Sequence, residues 1–199
     1  MTPIRYGILL FDDVEVLDAF GPFEVFSVAA RLSPTDIAGA VLVAAYPEWS
    51  TITARGGLRV QTDVSIADAP HFDVLLVPGG VTDRVEHDDA VVSWIAARSS
   101  APVVASVCTG AFLLAAAGVV TDHRVTTHWE DQAELARRFP DLTVLTEPRW
   151  VHDRGVYTSA GISAGIDLAL HLVSLVDDIL ALRVARQMDY HWQKVHAVG

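Results

Sequence analysis

The sequence predicts an α/β protein: a doubly wound, mainly parallel sheet with helices on both faces. Three observations carry that prediction. Short apolar runs alternate with helical patterns almost to the end of the chain, which is how a parallel sheet with crossover helices is written. Two of the runs, VLLVP (74–78) and PVVASV (102–107), are almost continuously apolar rather than alternating, as strands covered on both faces require. No repeat, charge block or Pro/Ser-rich linker divides the 199 residues, a length that fits one domain spanning 1–199.

Taken in order, Arg5–Leu10 reads as the first strand. Its apolar stretch is short and meets Asp12 and Asp13 at once, which is not the pattern of a signal peptide. Pro22–Leu32 reads as a helix, with Phe23, Phe26 and Ala30 at helical spacing. Val41–Ala45 is a strand. Thr51–Ala54 and Leu58–Thr62 form a hairpin across Arg55-Gly56-Gly57. Phe72–Val77 is a strand that stops at Pro78-Gly79-Gly80, and Asp88–Arg98 is an amphipathic helix with Val91, Val92 and Ile95 inward.

Ser99–Thr121 contains 23 residues without a charge, long enough to cross a bilayer. Pro102, Gly110 and Gly118, with polar Ser106, Cys108 and Thr109 at the centre, divide it instead into a buried strand, Pro102–Val107, and a helix, Gly110–Ala117. A helix over Trp129–Phe139, a hairpin over Trp150–Thr158 turning at Asp153-Arg154-Gly155, and helices at 163–175 and 178–190 complete the reading.

Composition narrows the function classes. The net charge of −11 opposes nucleic acid and anionic membranes as partners held by bulk electrostatics. The chain has one cysteine, Cys108, so it forms no internal disulfide and suits a reducing, cytoplasmic setting. Neither a glycine-rich phosphate loop nor a metal-ligand spacing is present in the sequence, so no cofactor and no metal are expected.

In a doubly wound sheet, ligands bind at the carboxyl ends of the strands. Ser106-Val107-Cys108-Thr109-Gly110 has the form of a nucleophile elbow, a strand breaking sharply into a helix with small residues at −2 and +2. The helix N-terminus is expected to lower the thiol pKa; alternatively Cys108 is a small buried hydrophobe. A rival elbow, Gly161-Ile162-Ser163-Ala164-Gly165, has Asp167, His171, His191 and His196 downstream. Asp167 and His171 share a predicted helix with Ser163 and cannot converge on its hydroxyl as a triad does, so Ser163 reads as an N-cap between glycines that allow close packing.

Asp18 is an acid inside an apolar patch just past the first strand. Buried there it either carries a proton beside the sulfur or caps the helix that opens at Pro22. Asp12, Asp13 and Glu15 read as solvated loop charges, and Glu24 faces either solvent or the pocket. His128 either pairs with the cysteine or opens the next helix. Gly79 and Gly80 either offer N–H groups to a developing anion, together with Thr109, or simply form a βα turn.

The blocks FDDVEVLDAFGPFEVF, DVLLVPGG, SVCTGAFLLAAAG, VTTHW and SAGISAGIDLAL together resemble the PfpI/ThiJ superfamily of glutamine-amidotransferase-like proteins, in particular its isocyanide hydratases and the ligand-sensing halves of AraC-type regulators. The proteolytic branch typically places a histidine directly after the cysteine, where Thr109 stands here. The resemblance implies a flavodoxin-like fold, a homodimer, a small-molecule substrate, Cys108 as nucleophile and Asp18 as the acid facing it. It also implies an oxyanion pocket of Gly79, Gly80 and Thr109, a histidine, His128, near the sulfur, and Ile162 on the helix packed against the nucleophile. The reaction it implies is hydration of an isocyanide to an N-substituted formamide through a thioimidate. Glyoxalase or deglycase-like chemistry on 2-oxoaldehydes, with His128 as base, and a ligand or oxidation sensor on the same cysteine are the alternatives.

Overall fold

A computed structural model describes residues 2–46 and 51–194; His196 lies outside the described residues. Seven strands form one sheet: β1 (Ile4–Leu10), β2 (Ile37–Ala44), β5 (Val64–Ser65), β6 (Val74–Val77), β7 (Val103–Val107), β10 (Trp150–Asp153) and β11 (Val156–Ser159). Their spatial order is β10-β11-β7-β6-β1-β2-β5. Every neighbouring pair is parallel except the β10–β11 hairpin. Two small pairs lie outside the sheet: β3 (Thr51–Thr53) with β4 (Arg59–Gln61), and β8 (Arg124–Val125) with β9 (Thr143–Val144).

Helices cover both faces. On one, α1 (Val16–Leu32), α5 (Ala164–Ser174) and α6 (Asp178–Gln187) pack together; on the other, α2 (Asp89–Ala97) meets α3 (Gly110–Ala116), while α4 (Gln132–Arg138) packs on β9. β1, β6 and β7 are buried along almost their whole length, so the continuous apolar runs find apolar neighbours above and below. Among the described residues no helix is long and apolar enough to cross a membrane. The uncharged run 99–121 becomes β7, a tight turn and α3.

Three elements differ from the sequence expectation. The first helix begins at Val16, so Pro22 lies inside it, leaving the Asp18 carbonyl without its helical donor. Burial offsets that loss. Gly21 approaches so closely that a β-carbon there would sit 2.9 Å from Ile166 Cγ1, and one at Gly165 would meet Val107 Cγ1 at 2.9 Å and Pro22 Cγ at 3.5 Å. The helix expected from Trp129 starts at Gln132 instead, because the Asp131 N–H closes a turn on the His128 carbonyl at 2.9 Å. On α2, Trp94 takes the buried place expected for Val92, and Asp88 caps the helix by accepting from the Ala90 and Val91 N–H groups. β5, β8 and β9, two residues each, lie below the length at which periodicity can be read.

The chain leaves β1 toward β2 on one side and returns to β6 on the other. The order therefore reverses at β1, and a crevice opens beyond the carboxyl ends of β1, β6 and β7.

Candidate active site

Val107 ends β7 and Gly110 begins α3, leaving Cys108 and Thr109 to make the turn. Cys108 has φ +56, a left-handed conformation that costs a residue with a β-carbon about 1–3 kcal/mol. The surroundings enforce it. The Cys108 N–H donates to the Ser159 carbonyl at 3.1 Å, and its carbonyl accepts from Thr127 Oγ1 at 2.7 Å. A β-carbon at position 110 would collide with the Val77 carbonyl oxygen, so glycine there lets the elbow close against the end of β6.

Thr109 fastens the elbow to the next loop. Its Oγ1 donates to the Gly80 carbonyl and accepts from the Gly80 N–H, both at 2.9 Å. Gly79 passes so close that a β-carbon would lie 2.5 Å from Thr109 N and 2.9 Å from Asp18 Oδ2. Gly80 has φ +139 and bridges to Val14. Its amide is therefore already engaged, so Gly80 shapes the turn and is not a free anion donor. The Thr109 N–H is directed at the Cys108 sulfur.

Asp18 stands in the first turn of α1, fully buried. Its Oδ1 accepts from the Ile162 N–H at 3.1 Å. The Cys108 thiol and the Gly79 N–H interact with the same carboxyl, whose Oδ2 is buried without a hydrogen bond of ordinary geometry. Burial pushes the Asp18 carboxyl up to about 6, with hydrogen bonding from the Cys108 thiol opposing and Glu15 adding to the rise. Burial also pushes the Cys108 thiol upward, reinforced by the Asp18 charge and opposed by the Thr109 N–H. This reverses the expectation of a lowered thiol pKa. The reason is physical: α3 is only seven residues long, and a thiol 7% exposed beside a carboxylate loses more to desolvation and repulsion than a short helix returns.

Ile162 lies in the turn before α5 and not on that helix as expected, because its backbone is left-handed, φ +55, an outlying conformation for a β-branched residue; its backbone, not its side chain, reaches Asp18. His128 lines the same cleft as Cys108, but its Nδ1 faces acids, Asp131 Oδ2 at 3.4 Å and Glu130 Oε2 at 3.8 Å. Its ring packs on Gly161, where a β-carbon would overlap it.

The cleft above the sulfur is about 620 Å³. Besides the residues expected there, Glu15, Arg55, Trp129, Glu130 and Asp131 line it. Glu15, read from sequence as a solvated loop charge, is mostly covered and paired with Arg55 at 3.4 Å. Arg55 arrives on the turn between β3 and β4, which Asp12 ties down by accepting from the Thr53 N–H at 2.7 Å. Glu24 faces solvent and pairs with Arg31. No local sequence signal places Arg55 here, because it comes from a hairpin distant in sequence, whereas Trp129 follows His128 directly on the same turn.

The serine elbow does not assemble. Ser163 Oγ accepts from Arg149 at 3.4 Å and makes no cap hydrogen bond, contrary to the N-cap expectation, because Ser163 itself already has helical backbone angles. Asp167 is buried against Arg149 at 2.7 Å and accepts from the Gln193 N–H, while His171 stacks on Trp150.

A mainly parallel sheet flanked by helices, with a cysteine elbow facing a buried carboxyl at its reversal point, defines a flavodoxin-like protein with its cleft built around one thiol. The chain belongs to the DJ-1/PfpI family, whose model matches residues 5–175. An isonitrile hydratase of Pseudomonas putida is 33% identical over 191 residues, covering 94% of this chain and 78% of that one. The HTH-type transcriptional regulator GbdR of Pseudomonas aeruginosa is 28% identical over 86% of this chain and 46% of its own length. A deglycase of Pyrococcus horikoshii, PH1704, is 31% identical over 54% of this chain and 69% of its own. The crystal structure of a ThiJ/PfpI family protein from Pseudomonas syringae superposes with TM-score 0.82 at 26% identity, over 96% of this chain and 76% of that one.

Proposed function

We propose that the chain, acting as one domain over residues 1–199, hydrates an isocyanide to an N-substituted formamide, with Cys108 as nucleophile and Asp18 as proton carrier. The observation that carries this reading is the buried thiol–carboxyl pair. With the thiol pushed up and the carboxyl at about 6, the proton rests on sulfur at neutral pH and Asp18 is the base beside it. As sulfur attacks the terminal isocyanide carbon, the S–H proton passes to Asp18. Asp18 returns it to that carbon, giving a thioimidate R–N=CH–S. Asp18 then takes a proton from water as the hydroxyl adds to the same carbon and passes it to nitrogen; the C–S bond breaks with its electron pair leaving on sulfur, the hydroxyl proton returns through Asp18 to the thiolate, and R–NH–CHO leaves. Sum and charge balance with one water and no redox partner, so the proposal includes no cofactor. The Thr109 N–H steadies negative charge on sulfur, and Gly79 and Gly80 hold the cleft wall.

The similarity to an isonitrile hydratase over 94% of the chain supports the same reaction. A sensor function fits less well, because redox-sensing cysteines are exposed with depressed pKa values. A cytoplasmic setting accords with the substrate chemistry and the reduced thiol.

The test is formation of formamide from an aryl isocyanide, with 18O from labelled water in its carbonyl. The rate is expected to rise with pH through about 6 as Asp18 ionises. Conversion of methylglyoxal to lactate with no formamide from any isocyanide would replace this reading with the glyoxalase one.

We also propose a homodimer through α6. Ile179 and Leu182 project outward on it, continuous with Leu175, and all three are exposed. Antiparallel pairing of two copies about Leu182 brings Asp178 of one to Arg186 of the other, twice, offsetting part of the repulsion between chains of charge −11. Ile179→Asp with Leu182→Asp is expected to halve the mass measured by light scattering. An unchanged mass, or a monomeric wild type, excludes this face.

A further inference from the structure

We infer that the mouth of the Cys108 cleft selects substrates carrying a positive charge, so that the electrophile arrives on a molecule with an ammonium group. For the reaction itself this rests on the hydratase reading; the charge preference is a property of the cleft alone.

Three carboxylates and one guanidinium line the opening: Glu15, Glu130 and Asp131 against Arg55. Arg55 is already matched by Glu15 at 3.4 Å. Glu130 and Asp131 flank His128, which can neutralise at most one of them. The lining is therefore net negative whether or not His128 carries a proton. Its field reaches the reacting groups, since Asp131 helps to hold the Cys108 thiol up and Glu15 does the same for Asp18. A low-dielectric cleft focuses such a field and raises the local concentration of an oppositely charged substrate by about tenfold or more.

Two further observations point to a ligand. Trp129 lies between His128 and Glu130 in sequence, lines the cleft and is 72% exposed. Its only ring contact among the described residues is with His128, at 5.7 Å. An indole left open beside two carboxylates offers its face to a cation. At the base of the same site, the fully buried Asp18 carboxyl is met by the Cys108 thiol and the Ile162 and Gly79 N–H groups, and its Oδ2 makes no hydrogen bond of ordinary geometry. A substrate bearing an ammonium group about one cleft length from its electrophilic carbon satisfies rim and base together. Carboxylate-bearing or phosphorylated substrates meet repulsion at both.

Cys108 is the chain's sole cysteine, so thiol labelling reports on this cleft and nothing else. Rates are measured for the trimethylammonium-ethyl and sulfonatoethyl methanethiosulfonates, each divided by its rate with free cysteine. The ammonium reagent is expected to be favoured at least about tenfold, and the preference is expected to collapse in Glu130→Gln/Asp131→Asn and in high salt. Saturation-transfer NMR with benzyltrimethylammonium and benzenesulfonate reads the same preference without reaction at sulfur. Saturation of the cation alone supports it. A labelling ratio equal to that of free cysteine, a ratio unmoved by the double substitution, or equal saturation of both probes overturns it. If the cation preference is found while no isocyanide is hydrated, the hydratase reading fails and the charge selectivity stands. If neutral and ammonium isocyanides are hydrated with equal kcat/KM, the hydratase reading stands and the charge selectivity falls.

Discussion

Cys108→Ala is expected to abolish formamide production from an aryl isocyanide, a fall on the order of 10⁴-fold or more, while the protein stays folded. The isocyanide carbon reacts through a covalent bond to sulfur, and no other side chain in the cleft supplies a comparable nucleophile. Alanine adopts the elbow's φ of +56 at a cost similar to that of cysteine, and the Cys108 N–H and carbonyl keep their bonds to Ser159 and Thr127. Chromatography of the formamide together with a circular dichroism spectrum separates lost chemistry from lost structure. Turnover by the alanine variant at the wild-type rate would remove the thioimidate from the mechanism.

Asp18→Asn is expected to move activity and stability in opposite directions. Loss of the proton carrier lowers kcat by about 10²–10⁴-fold. Stability follows from linkage. The carboxyl rises from 3.8 to about 6 on folding, so the folded state disfavours its charged form. Below the unfolded value both states are protonated and nothing is lost; as pH climbs through about 6, stability declines to a plateau about 3 kcal/mol lower. Asparagine keeps the acceptor for the Ile162 N–H but has no charge to bury. At pH 7 the variant is therefore expected to unfold at a higher urea concentration than wild type, with the gap closing toward pH 4. A variant less stable at both pH values would show that Asp18 has a structural role and no cost of its charge.

The sequence reveals those parts of the fold in which local pattern and tertiary demand agree. The strand Pro102–Val107, its sharp end at Cys108 and the helix from Gly110 are legible because proline, glycine and a lapse in polarity punctuate an apolar run, and the structure places β7 and α3 within a residue of those limits. Pro22 misleads, since it signals a helix start, yet here the close approach of Gly21 and Gly165 stabilises a helix that runs through it. The direction of the thiol pKa also escapes the sequence, because it depends on how deeply Cys108 and Asp18 are enclosed and not on their types. The rim escapes as well. Arg55 comes from one loop and Trp129 and Asp131 from another, and their convergence is set by the paths of the connections between elements.

One fastening sets what substitution alone can achieve. Thr109 Oγ1 both gives and receives a hydrogen bond with Gly80, a reciprocal arrangement that a hydroxyl performs on one atom and an imidazole does not. Putting histidine at 109, in search of peptidase chemistry, would introduce a new base and in the same step unlatch the glycine loop from the elbow. Gly79, which has no room for a β-carbon against Thr109 and Asp18, would have to be rebuilt at the same time. Movement between such activities on this scaffold therefore runs through paired changes in the two loops, and a library that varies position 109 alone samples only damaged versions of the present site.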